Sequence, residues 1–298
     1  MLTALLLSSC FTGVESTKKI TDKDVQRAIH EMERGKKSMA LQDHVDSLPT
    51  WSLGKTFWVV DDQVRLIFSP SAHYNIDSLS LLGKQLTYQG YDIHRQVNNT
   101  EVVDIKFSDG AHELVYATGK TLADISHPAF AVPFLVDGDM VSHYANQVVG
   151  KTVYVKNSVW YTLDGDKIEG RKFVPVKITA IKPGNRIYPL RAEFKTADGR
   201  EAMLWMTTGS SSISGRDFDS LFSLTDVRLQ YPDISAENWA RIVEGKVAEG
   251  MTKEECRLSF GAPKTVSQRP DQTGLREYWY YDGGRYLFFV DGLLKEYR

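Results

Sequence analysis

Long apolar runs, cysteines and an excess of charge of either sign are scarce in this chain, and each shortage excludes something. No stretch of the 298 residues approaches the ~18 consecutive apolar residues of a bilayer-spanning helix. Two cysteines, Cys10 and Cys256, are too few for a disulfide framework. Lys and Arg number 36 against 38 Asp and Glu, a net charge of −2, so no whole-chain nucleic-acid footprint is expected. Metal-binding spacings are missing as well. There is no HExxH, HxH or Cys-x-x-Cys, and the seven histidines (30, 44, 73, 94, 112, 127, 143) lie far apart in sequence. Gly-Lys-Thr occurs twice, but a phosphate-binding loop needs a glycine five residues earlier, where Pro49 and Ala145 stand. The Ser210–Ser214 cluster lacks the glycine of a nucleophile elbow, because Ile213 occupies that place. Asp137-Gly138-Asp139 and Asp164-Gly165-Asp166 read as turns, since neither continues into a twelve-residue calcium loop. The expectation is therefore a protein without catalytic residues, metal or cofactor. What is present is ordinary globular composition, 42% apolar and 25% charged, at a length suggesting about two domains.

The first ten residues form a short apolar run ending in small residues and a cysteine. Leu7-Ser8-Ser9-Cys10 resembles the lipobox of bacterial lipoproteins, although no Lys or Arg precedes the run. The resemblance implies a signal peptide over 1–10 cleaved before Cys10, with acyl chains (palmitate among them) on that thiol. It further implies a bacterial cell-envelope location, at the outer membrane facing the periplasm. Each buried methylene of an acyl chain contributes roughly 0.8 kcal/mol to membrane attachment. Residues 11–53 read as a tether carrying one short helix, with Val25, Ile29 and Met32 at helical spacing.

An internal repeat follows. Gly54-Lys55-Thr56-Phe57-Trp58-Val59 recurs as Gly150-Lys151-Thr152-Val153-Tyr154-Val155. Each copy opens a series of short strand-like runs: Val64–Phe68, Gln85–Tyr88, Val102–Phe107 and Glu113–Ala117, then Val159–Leu163, Val174–Ile181, Arg191–Thr196 and Ala202–Met206. Asp109-Gly110 and Asp198-Gly199 mark hairpin turns, because Asp-Gly suits the positive φ they demand. Units over 54–119 and 150–209 built this way resemble small SH3-like barrels. Between them, 120–149 reads as a connector with a helix near Val141–Val148, and the small polar stretch Ser210–Gly215 reads as a domain boundary.

In the last segment, 216–298, Ser235 is positioned to cap a helix carrying Trp239, Ile242 and Val243. Thr252-Lys253-Glu254-Glu255 is a capping box opening a second helix that stops at Gly261 and Pro263. Three strands are expected at Arg276–Tyr281, Arg285–Val290 and Leu293–Tyr297, giving the order ααβββ. Gly250-Met251-Thr252-Lys253-Glu254-Glu255-Cys256, Phe260-Gly261-Ala262-Pro263, Glu277-Tyr278-Trp279-Tyr280-Tyr281 and Phe289-Val290-Asp291-Gly292 resemble the SmpA/OmlA (BamE-like) lipoprotein domain. That resemblance implies an envelope protein whose partners are other envelope proteins. The expected fold is thus mainly β, two tandem small barrels followed by an α+β domain.

Charge separates the two repeats. Residues 54–119 hold five basic and eight acidic side chains, a net charge of −3. Residues 150–209 hold eleven and six, a net charge of +5. Arg171 and Lys172 belong to the basic repeat, and Trp58, Tyr88, Tyr91, Trp160 and Tyr161 are candidates to line grooves between strands. The function expected is a non-catalytic envelope lipoprotein acting as a protein–protein interaction or integrity module. The alternative is a peptidoglycan or other cell-wall ligand binder working through the repeats; a hydrolase centred on Cys256 ranks third.

Overall fold

The computed structural model describes residues 41–69, 76, 79–213, 215–271 and 274–298. The expected signal peptide, Cys10, and the expected helix of Val25, Ile29 and Met32 lie outside the described residues. The described chain is mainly β.

Gly54, at φ +84°, starts the first sheet. Its strands are β1 (Thr56–Val59), β2 (Gln85–Arg95), β3 (Glu101–Ser108) and β4 (Glu113–Ala117). A short helix, α1 (Leu122–Ile125), precedes β5 (Leu135–Asp137), and a longer one, α2 (Gly138–Val148), follows it. The sheet runs β4-β3-β2-β1-β5. The expected strand Val64–Phe68 is instead a 3-10 turn over Asp62–Leu66, opened by the Asp61 carboxylate accepting from the Gln63 N–H. A strand would bury alternate residues, but Val64 and Phe68 are buried while Leu66 between them is 80% exposed. Only Phe68 reaches the sheet, bridging Tyr116 of β4.

The second sheet repeats this plan. Its strands are β6 (Thr152–Val155), β7 (Val159–Tyr161), β8 (Lys167–Glu169), β9 (Pro175–Pro183), β10 (Leu190–Thr196) and β11 (Glu201–Met206). A single-turn helix, α3 (Phe218–Leu221), leads into β12 (Phe222–Ser223), and the order is β12-β6-β9-β10-β11-β7-β8. Without the added β7–β8 ribbon, this is the order of the first sheet. The correspondence extends to individual backbone bonds. Gly54 donates to the Tyr88 carbonyl and Tyr88 back to Lys55; Gly150 donates to Ile178 and Ile178 back to Lys151. Gly150 shares the φ of +84°. Each chain then crosses to the far edge of its own sheet, Phe68 to Tyr116 and Tyr161 to Met203, so both sheets curl.

Sheet and core membership run past the expected boundaries. Residues 120–149 supply β5 to the first sheet, and α2 packs Val141, Tyr144 and Val148 into the second core. Residues beyond Ser210–Gly215 still belong to the second core, where Phe218, Leu221 and Phe222 are buried. The polar break is a loop within that module.

The third module has α4 (Ala236–Val243) and α5 (Lys253–Phe260) beside four antiparallel strands: β13 (Thr265–Asp271), β14 (Gly274–Tyr280), β15 (Tyr286–Val290) and β16 (Leu293–Tyr297). Both caps form as the residue types require: the Ser235 hydroxyl accepts from the Asn238 N–H, and Thr252 and Glu255 bond each other's backbone. The order is ααββββ rather than ααβββ. Thr265–Asp271 shows no apolar alternation and includes Pro270, which a strand tolerates at the sheet edge where β13 lies.

The three cores are joined through one recurring position. In β1, Phe57 and Val59 face the first core, while Trp58 packs on the second. In β6, Val153 and Val155 face the second core, while Tyr154 packs on the third. Trp58 and Tyr154 are equivalent residues of the repeat, so each first strand has two buried faces and each module docks on the next.

Candidate functional site

The seam between the two repeats gathers most of the unusual chemistry. At one end lies Lys55, whose side chain is only 2% exposed. Its ammonium contacts Asp139 at 2.6 Å, Asp137 at 2.9 Å and Asp46 at 3.0 Å. Burial alone would lower the lysine pKa, but the three carboxylates outweigh it and hold the group above its ordinary value. Asp46 is held below the ordinary carboxyl range: burial opposes this, and bonds from Thr50, Lys55 and the Ser47 N–H prevail. His44 Nε2 stands 3.7 Å from Asp46 and 3.9 Å from Asp137. The ligand atoms of His44, Asp46 and Asp139 lie within 4.8 Å of one another, a spacing suited to a cation. The Lys55 ammonium already supplies positive charge to all three carboxylates around it.

Local structure explains why these residues meet. Asp137 caps α2 by accepting from the N–H groups of Asp139 and Met140, which turns the Asp-Gly-Asp run over Lys55. Gly138 allows the close approach, because a Cβ there would overlap Thr56. Residues 41–47 lie as a strap along α2. Gln42 exchanges bonds with Gln147 and accepts at 2.8 Å from His143, while Asp43 accepts from the Tyr144 hydroxyl and from the Gly209 N–H. The His44 and His143 rings are 5.7 Å apart, though a hundred residues separate them in sequence.

Alongside this cluster runs a cleft of about 610 Å³ between the repeats. Thr56, Trp58 and Leu82 line it from the first repeat, Ile181, Lys182 and Arg191 from the second, and Val141 of α2 completes the wall. Lys182 and Arg191 both contact Glu193, at 2.9 and 3.2 Å. Arg191 Nε is buried without a hydrogen-bond partner, whereas the buried Glu193 Oε1 is the atom that Arg191 Nη2 contacts. A second depression of similar volume, along Thr152, Val176 and Thr196, contains no aromatic residue.

The aromatic candidates do not form one surface. Trp58 lines the cleft. Tyr88 and Trp160, each 2% exposed, are core residues, because alternate residues of their strands point inward. Burial pushes the Tyr88 hydroxyl up to about 12. The Trp160 indole N–H is satisfied by the Asn157 carbonyl at 2.8 Å. Tyr91 packs half-buried on the first core, and Tyr161 sits half-buried with its ring 6.2 Å from Trp205.

The two basic candidates also part. Arg171 is exposed. Lys172 turns inward and ties the second module to the third, donating to the carbonyls of Ser259 at 2.6 Å and Leu258 at 3.2 Å at the C-terminus of α5. Beside it Phe173 stacks on Trp239 at 5.5 Å. Burial pushes the Lys172 amine down to about 8. Cys256 is buried in the third core, and burial beside Glu255 pushes its thiol up to about 12, which suits packing rather than nucleophilic attack.

Sequence reasoning missed Asp46, Asp137, Asp139 and His44, because they meet only across the fold. The available signal was the Asp137-Gly138-Asp139 run at the start of α2, which sets two carboxylates at one helix N-terminus. No protein-family model and no curated protein matches this chain.

Proposed function

We propose that the protein is a non-catalytic bacterial cell-envelope lipoprotein, anchored through Cys10 and serving as an interaction scaffold for other envelope proteins. The observation that carries this reading is the serial docking of the three β modules through Trp58 and Tyr154, which holds their outer surfaces in one fixed arrangement. Such rigidity suits a part that positions partners, because little ordering entropy is lost on binding. The shared sheet order, and the short helix before each last strand, support an SH3-like assignment for the two repeats. The capped helix pair against a meander supports a BamE-like assignment for the third module, with β13 as an added edge strand.

Two experiments test the proposal. Metabolic labelling with a radiolabelled fatty acid is expected to mark the wild-type chain but not Cys10→Ser; an unlabelled wild type overturns the anchor. Affinity purification from cross-linked membranes is expected to recover defined envelope proteins in stoichiometric amounts, and recovery of none overturns the scaffold. The cleft at the repeat junction keeps cell-wall ligand binding as the second reading, tested by pull-down on purified sacculi.

A further inference from the structure

We infer that the cleft between the two repeats binds a short acidic peptide segment in which a carboxylate neighbours an apolar side chain. The inference deepens the scaffold reading and rests on it for the partner being a protein. One part of the wall is apolar: Leu82 is 56% exposed, Trp58 is half-buried, and the buried Ile181 and Val141 complete it. Gly83 lines the cleft with nothing within 4 Å of where a Cβ would stand, so an extended main chain can approach closely there. The volume, about 610 Å³, falls within the range of sites that enclose small ligands.

The other part is a half-satisfied ionic group. Lys182, 49% exposed, and Arg191 share Glu193, which leaves one positive charge in excess. A guanidinium offers five donors. Those of Arg191 find Glu193 at 3.2 Å and the Leu163 carbonyl at 3.5 Å, and its buried Nε finds no partner. Glu193 is itself only 7% exposed, and its two oxygens are taken up by Lys182 and Arg191. Lys182 and Arg191 line the cleft while Glu193 lies behind it, so an incoming carboxylate would engage the two cations. A single excess charge matches one carboxylate and falls short of what a polyphosphate backbone needs. That the cations come from the +5 repeat and much of the apolar wall from the −3 repeat explains why the site exists only at their junction.

Titration of the purified full chain with acetyl-Glu-Phe-Glu-Leu-amide, followed by calorimetry and by tryptophan fluorescence, tests this. Saturable binding is expected, weakened at least tenfold by Lys182→Glu and by Leu82→Glu. Lys264→Glu, the same charge change on the third module, leaves it unchanged. The peptide acetyl-Lys-Phe-Lys-Leu-amide is expected to bind at least tenfold more weakly. Both cleft substitutions are at exposed side chains, and an unchanged melting temperature confirms the fold. Absent saturation, equal affinity for the two peptides, or indifference to both cleft variants overturns the inference, as does binding of soluble peptidoglycan fragments in place of the peptide. If cross-linked membranes yield the same partners with the Leu82→Glu, Lys182→Glu double variant, the cleft assignment falls while the scaffold stands. If wild type yields none, the scaffold itself falls.

Discussion

Gly54-Lys55 and Gly150-Lys151 occupy the same place in the two repeats, with the same φ at the glycine and the same pair of backbone bonds to the neighbouring strand. Yet Lys55 is buried among three carboxylates, and Lys151 is exposed, making no ion pair among the described residues. The backbone of a repeat is set by local rules that tolerate divergence: a left-handed glycine, alternating apolar residues and an Asp-Gly turn. Side-chain chemistry answers to whatever the neighbouring module brings. Beside the first repeat, α2 brings Asp137 and Asp139, and the strap brings Asp46. The second repeat has the third module beside it, and there the lysine that turns inward is the half-buried Lys172, satisfied by helix carbonyls.

The sharpest way to break this comparison is at the paired lysines. Lys55→Met leaves three carboxylates facing one another around a buried site, and removing one partner of a buried ion pair costs about 3 kcal/mol. Lys151→Met is expected to stay within about 0.5 kcal/mol of wild type. Urea melts of both variants check this, and equal losses would show that the two positions are energetically alike.

Trp58→Ala and Tyr154→Ala come next, at about 2 kcal/mol each for a half-buried aromatic. Hydrogen exchange should localise the damage differently: the first loosens the joint between the repeats, the second the joint between the second repeat and the C-terminal module. Identical exchange patterns would remove the serial-docking account.

Lys172→Met is expected to cost about 1.5 kcal/mol through the lost charged hydrogen bonds. Its pH dependence has a definite sign. The folded-state amine titrates near 8 and an unfolded one near 10.5, so between these values the unfolded chain holds the extra proton and wild type gains stability as pH rises. The wild-type advantage over the variant should therefore grow from pH 8 to 10.5 in paired melts, and a shrinking gap contradicts it.

The smallest effect is at the strap. Burial tends to raise Asp43, but bonds from Tyr144, Gly209 and Ser210 win, and both Asp43 and Asp46 sit below the ordinary 3.8. Their stabilisation is present above that value and lost as pH falls through the depressed pKa values. Proteolysis within residues 41–47 is expected to accelerate below about pH 3.8 in wild type. In Asp43→Asn, whose residue no longer titrates, the acceleration should be smaller; an equal acceleration disproves the role of Asp43.

Much of the fold was legible beforehand because its causes are local. The Thr252–Glu255 capping box, the Gly261 stop and the Asp-Gly hairpins each depend on residues within a few positions of one another. Val64–Phe68 misled because an apolar i, i+4 pair behind two aspartates serves a turn as well as a strand. β13 was silent because an edge strand need not alternate. The candidate site was nearly invisible: Trp58 and the two Gly-Lys-Thr copies were noticed, but His44 and Asp46 come from the strap and Asp139 from the start of α2, stretches far from each other in sequence.

By itself the sequence determined the repeat, the capped helices and the longer strands, and the opposite charges of the two repeats, since backbone preferences and side-chain alternation act over a few residues. Only the tertiary structure decided that Trp58 and Tyr154 are joints, that Tyr88, Trp160 and Lys172 are structural, and that one lysine of a matched pair is buried. Those outcomes depend on which surface arrives from elsewhere in the chain, because burial and electrostatic fields belong to the assembled neighbourhood rather than to any one segment.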